Sequence, residues 1–172
     1  SVLKIEGVPV LFAIYFLTFL AFSLFYASLP VYASTQLGWS AVNLGAFLAY
    51  FSLLMVVVQG PILSRLSKRF QSIQLVIGGA CSLTIGFLLL VQGNLLLMYL
   101  AVTFMAFGNG IMWASFLSML SKAGRSSQQG AIQGYGSSMG SMANMLGLVI
   151  GGILFQSIGI LTFGLAAIIF LI

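Results

Sequence analysis

Histidine and aspartate are absent from this 172-residue chain, and Glu6 is its single acid. Cys81 is its single cysteine. Each absence removes a chemistry. A Ser-His-Asp triad lacks two of its members. One carboxylate cannot form the pair that glycoside hydrolysis requires. Zinc and calcium sites built from His, Cys and carboxylates lack their ligands, so no metal site is expected. A lone cysteine forms no intrachain disulfide. The usual acid–base and nucleophilic devices are missing from the inventory. The chain therefore reads as a non-enzyme, with no cofactor called for.

Charge is scarce as well. Charged residues make up 4% of the chain and hydrophobic ones 61%, where a soluble domain carries about 25% charged residues. A water-facing surface cannot be assembled from so few, so the lipid bilayer is the expected solvent. The net charge of +5 is no nucleic-acid footprint, because that needs a basic face clustered on a polar domain.

What the chain does have is long apolar runs. A spanning helix takes about 20 mostly apolar residues. Six candidates fall at 8–33, 41–63, 73–91, 95–120, 131–155 and 160–172. The last is short and still apolar at Ile172, so it is expected to be a helix cut off by the end of the chain. The first run is too long for a secretory signal and no small-residue cleavage site follows it. Short connections favour antiparallel neighbours. The expected fold is all-α: one polytopic membrane domain, 1–172, of six transmembrane helices.

The cations sort by side. Lys4 precedes the first run; Arg65, Lys68 and Arg69 follow the second; Lys122 and Arg125 follow the fourth. The other three connections, near "STQLGWS", "QGN" and "QSIG", carry none. Positive loops stay cytoplasmic. This arrangement predicts a cell-membrane protein with both termini in the cytoplasm.

The stretch "GPILSRLSKRF" resembles the cytoplasmic signature of the major facilitator superfamily, roughly Gly-x-Leu-Ala-Asp-Arg-x-Gly-Arg-Lys/Arg. Gly60, Arg65, Lys68 and Arg69 match it, while Ser64 and Ser67 stand where the family has Asp and Gly. The segment "QQGAIQGYGSSMGSMANMLGLVIGGILF" resembles the eleventh helix of tetracycline-type drug/proton antiporters, whose Gln-Gly-x-x-Gln-Gly opening is matched by Gln129, Gly130, Gln133 and Gly134. The resemblance implies that the six runs are helices seven to twelve, the C-terminal half of a twelve-helix transporter. It also implies a three-plus-three inverted repeat with its site near the midplane, a missing N-terminal six-helix half as partner, and a gating role for the Gly60, Arg65, Lys68 and Arg69 loop. Efflux of a small molecule follows from the resemblance alone.

Polar residues inside the runs point to a site. At 100° per residue, Gln133, Ser137, Ser141 and Asn144 form one stripe of the fifth run. Gly136, Gly140, Ala143, Gly147 and Gly151 form a small-residue stripe roughly 75° away. Small residues let helices approach closely, so the glycines are expected to pack and the amides to offer hydrogen bonds. Ser137 and Ser141 read as interhelical glue; Gln133 and Asn144 read equally as glue or as site residues. In the fourth run Met105, Asn109, Trp113 and Phe116 share a face, and an amide at that depth needs a partner or water. Tyr15, Thr18, Phe22 and Tyr26 share a face of the first run, an arrangement that usually serves packing. The family resemblance makes the first and fourth helices of a half line the cavity, which singles out Tyr26, Asn109 and Trp113.

The function expected is secondary active transport by alternating access, of a small amphipathic or apolar solute, since no fixed charge stands at mid-depth. The alternatives are a six-helix protein that dimerises into a channel or transporter, and a membrane scaffold that transports nothing.

Overall fold

A computed structural model describes residues 7–122 and 129–171. Lys4, Glu6, Arg125, Gln128 and Ile172 lie outside the described residues. Among those described there are helices and turns and no strand. Six helices follow one another: α1 Val8–Thr35, α2 Ala41–Leu66, α3 Ser72–Leu90, α4 Leu95–Lys122, α5 Gln129–Ile158 and α6 Leu161–Ile169. The first five are long and apolar enough to cross a membrane. Against the boundaries expected from hydropathy, α1, α2 and α4 extend by two or three residues at their C-terminal ends, and α5 by two at its start and three at its end. Polar residues at the interfaces continue a helix once its backbone bonds are made.

The ends are set by local chemistry. Ser40 caps α2, its hydroxyl accepting from the Asn43 amide at 3.3 Å. Gln71 and Gln74 close a capping box on α3, with the Gln71 amide donating to Gln74 Oε1 at 3.0 Å, satisfying donors that the first turn leaves orphaned. Gly93 takes φ 67° in the α3–α4 turn, a left-handed conformation that a side chain would strain.

The helix α2 is not uniform. Its residues Val58–Ile62 form a π-turn that contains Gly60 and Pro61. Proline has no amide to donate, and its ring clashes with the carbonyl four residues back; a wider turn relieves the clash. The extra residue also corrects register. Phe47, Phe51 and Val58 are buried and Leu54, Ile62 and Leu66 half-buried on one face. From Phe47 to Leu66 a regular α-helix would overshoot five turns by about 100°. One inserted residue absorbs that overshoot and keeps Ile62 and Leu66 packed beside Val58, Leu75 and Ile111.

The packing partners have a two-fold pattern. The most extensive contacts are α3 with α4 and α1 with α5; α1 with α6, α3 with α6 and α2 with α4 follow. Exchanging the first three helices for the last three maps α1·α5 onto α4·α2, maps α4·α3 onto α1·α6, and leaves α3·α6 in place. Because α1 and α4 run in opposite directions, this is the contact pattern of two inverted three-helix units. Two pairs come into backbone contact. A Cβ on Gly79 would lie 2.8 Å from the Gly108 carbonyl oxygen, so α3 and α4 touch there. The buried face of α5 carries Gly136, Gly140, Ala143, Gly147 and Gly151 and lies along α1; a Cβ on Gly147 would collide with the Ser23 side chain. Ser82 strengthens the first pair by donating across to the Phe104 carbonyl at 2.8 Å.

At one end, the Gly93 turn meets Tyr32 of α1 and Ile160 of the α5–α6 turn, which gathers the three cation-free connections. The other end carries Arg65, Lys68, Arg69 and Lys122, all exposed.

Candidate functional site

Between α1, α2, α4 and α5 lies an open cavity of about 360 Å³, within the roughly 300–1,000 Å³ typical of small-molecule sites. Each helix contributes through the packing just described. The close approach of α5 to α1 at Gly147 brings Asn144 within reach of α1, where the Ser23 hydroxyl donates to Asn144 Oδ1 at 2.6 Å. From α4, the Asn109 amide nitrogen donates to Met55 Sδ of α2 at 3.6 Å, a weak bond, sulfur being a poor acceptor. Trp113 stands one turn further along α4 and forms an aromatic cluster with α1. Its ring lies 5.4 Å from both Tyr15 and Phe19, and Phe116 lies 5.2 Å from Tyr15. Tyr26 closes the opposite end of the cavity, its ring beside Phe22 and Phe25. Pro30, one turn beyond, leaves the Tyr26 carbonyl without its usual helical donor.

Four of the five residues singled out from the sequence thus meet in one cavity: Tyr26, Asn109, Trp113 and Asn144. Gln133 does not. It is exposed on the stripe of Asn144, three turns nearer the start of α5, about 16 Å away at 1.5 Å per residue. Ser137 and Ser141, expected as glue, face outward and make no hydrogen bond among the described residues. Gly60 belongs to the π-turn of α2 and not to the connecting loop, whereas Arg65, Lys68 and Arg69 do sit at the helix end and in the turn that follows.

Sequence reasoning missed Gln59. It lines the cavity beside Met55, one turn earlier on α2, and its stem rests on Gly110 of α4. The available signal was an amide next to Gly-Pro inside an apolar run, which marks a break in a helix at membrane depth. No cation or carboxylate is among the lining residues. The wall offers carboxamides, hydroxyls and aromatic faces, which is chemistry for holding an uncharged solute by hydrogen bonds and stacking.

The family model described as Major Facilitator Superfamily matches residues 11–172. No curated protein matches the chain.

Proposed function

The chain belongs to the Major Facilitator Superfamily, a family of membrane transporters, and from that premise we propose that it is the C-terminal six-helix half of a secondary transporter exporting a small uncharged amphipathic solute. The observation that carries this reading is the charge-free cavity, walled by α1, α2, α4 and α5 and open on one side. Its open side is flanked by α2 and α5, which bury far less of themselves than α1, α3 and α4 do. A second, N-terminal six-helix half is the partner that completes the wall, and rocking of the two halves about the site gives alternating access. The basic ends of α2 and α4 face the cytoplasm, as do both termini, and the arginines and lysine after Gly60 form the cytoplasmic gating segment.

In the complete twelve-helix protein, reconstituted in vesicles, Asn109→Leu and Trp113→Ala should each abolish saturable, gradient-dependent flux of an uncharged aromatic dye at unchanged membrane level. Vesicles holding the 172-residue chain alone should show no saturable flux. Saturable flux from the chain alone would replace this reading with a self-paired transporter. Unimpaired flux in both variants would remove the cavity from the mechanism.

A further inference from the structure

The cavity amides are not equivalent. Asn144 has its oxygen committed to Ser23, and Asn109 has its nitrogen committed to Met55. Gln59 has neither end committed: among the described residues it makes no hydrogen bond, although it stands on a membrane-spanning helix. Its side chain is exposed and lines the open cavity, so both the donor and the acceptor end of the amide are available to a ligand. Gln59 lies in the π-turn of α2. Met55 and Gln59, four residues apart, both reach the cavity, while Val58 stays buried against Gly110 and Ile111. Short π-turns inside α-helices recur at functional sites.

Resting on the reading of this cavity as the transport site, we infer that Gln59 determines specificity, and that it selects uncharged planar ligands carrying a cis-amide edge, such as a lactam. A carboxamide presents one donor and one acceptor side by side. A lactam presents the complementary pair, N–H beside C=O, so the two close a ring of two parallel hydrogen bonds. The rest of a flat bicyclic ligand then lies toward Phe19 and Trp113, whose aromatic faces line the same cavity. The free nitrogen of Asn144 and the free oxygen of Asn109 remain for further polar groups on the ligand. A carboxylate or ammonium would enter without a counter-charge, because the wall holds none.

The test uses the complete twelve-helix protein in lipid nanodiscs, with Trp39 and every tryptophan outside this chain replaced by Phe so that Trp113 reports alone; Trp39 packs on Phe47 away from the cavity. The probes are 2-quinolinone, its N-methyl derivative, which lacks the donor, and 2-quinolinecarboxylate. Binding is read as quenching of Trp113 emission. With Gln59 in place, 2-quinolinone should bind at least ~10-fold more tightly than the N-methyl compound, since methylation strands one end of a desolvated amide. The carboxylate should not bind. In Gln59→Leu, which suits a membrane helix and leaves the π-turn's Gly60 and Pro61 intact, the preference for 2-quinolinone should vanish while both neutral probes still quench. A preference that survives Gln59→Leu overturns the role of Gln59 and leaves the cavity as a binding site. Failure of every neutral probe to quench Trp113 in the complete single-tryptophan protein overturns this inference and the transport site together.

Discussion

Replacing Gly147 by alanine places one methyl group where two helices have no room for it. The added Cβ would collide with Cβ of Ser23 and lie 3.0 Å from the Leu20 carbonyl oxygen. Neither is the far end of a flexible side chain, so α5 must move away from α1. Overpacking of this kind costs typically about 1–3 kcal/mol. The movement also stretches the 2.6 Å bond from Ser23 to Asn144, and such interhelical bonds in membranes contribute about 0.6 kcal/mol on average. Alanine's better helix propensity returns up to about 1 kcal/mol. The net expectation is a loss of about 1–2 kcal/mol, or roughly 5- to 30-fold in the folded-to-unfolded ratio. Gly152 is the control: it lies on the same helix, and a Cβ there meets nothing within 4 Å. Gly152→Ala should be neutral or slightly stabilising. Unfolding in mixed micelles, driven by the mole fraction of dodecyl sulfate and followed by far-UV circular dichroism, reads both. Coincident unfolding curves for Gly147→Ala and Gly152→Ala would refute the close approach of α5 to α1.

Two further outcomes are expected. In a Cys81→Ser background, an impermeant thiol reagent applied to intact cells should label Gln36→Cys, at the exposed end of α1, and spare Ser67→Cys, beside Arg65 and Lys68; labelling of position 67 from outside would invert the topology. Proton relays in membranes use Asp, Glu or His chains, and residues 8–172 contain none, so Glu6→Gln in the complete protein should leave pH-dependent flux in place; its loss in a folded, binding-competent variant would put coupling at Glu6.

The sequence made some of this legible because a polar residue inside an apolar run is conspicuous. Asn109 and Asn144 stood out for that reason, Trp113 and Tyr26 because the family resemblance places the first and fourth helices along the cavity, and the cavity holds all four. A helical wheel, however, has an angle and no depth. Gln133 shares the stripe of Asn144, yet it sits three turns away, beyond the cavity. The wheel also assumes one period throughout. Across Val58–Ile62 the period changes, because Pro61 excludes a regular turn and because Ile62 and Leu66 must keep their packing against α3 and α4. That requirement is tertiary, so the sequence did not single out Gln59. The contact between Gly79 and Gly108 was hidden for a related reason: each glycine is unremarkable until the partner helix is known.

The distribution of the amides between packed pairs gives the cavity a mechanical meaning. Asn144 and Ser23 belong to the α1–α5 pair, locked at Gly147. Asn109 belongs to the α3–α4 pair, locked at Gly79 and Gly108, and α2 is tied to α4 where Tyr50 and Thr103 hydroxyls meet at 3.1 Å. Contacts between α1 and α4, and between α4 and α5, are sparse by comparison, and the aromatic cluster of Tyr15, Phe19, Trp113 and Phe116 fills that seam. Rings that meet at tilted and edge-on angles can slide, whereas backbones in contact at glycines cannot separate without losing their packing. The seam is therefore the more sparsely packed boundary within these six helices. A ligand bound only to Asn144 would touch one pair and favour no position of the other. One that spans from Gln59 to Asn144 touches both, so its affinity depends on their separation, and only a differential affinity of that kind lets binding shift a conformational equilibrium. If the inferred lactam site at Gln59 holds, a ligand bound there and at Asn144 would tie α2 and α4 to α1 and α5.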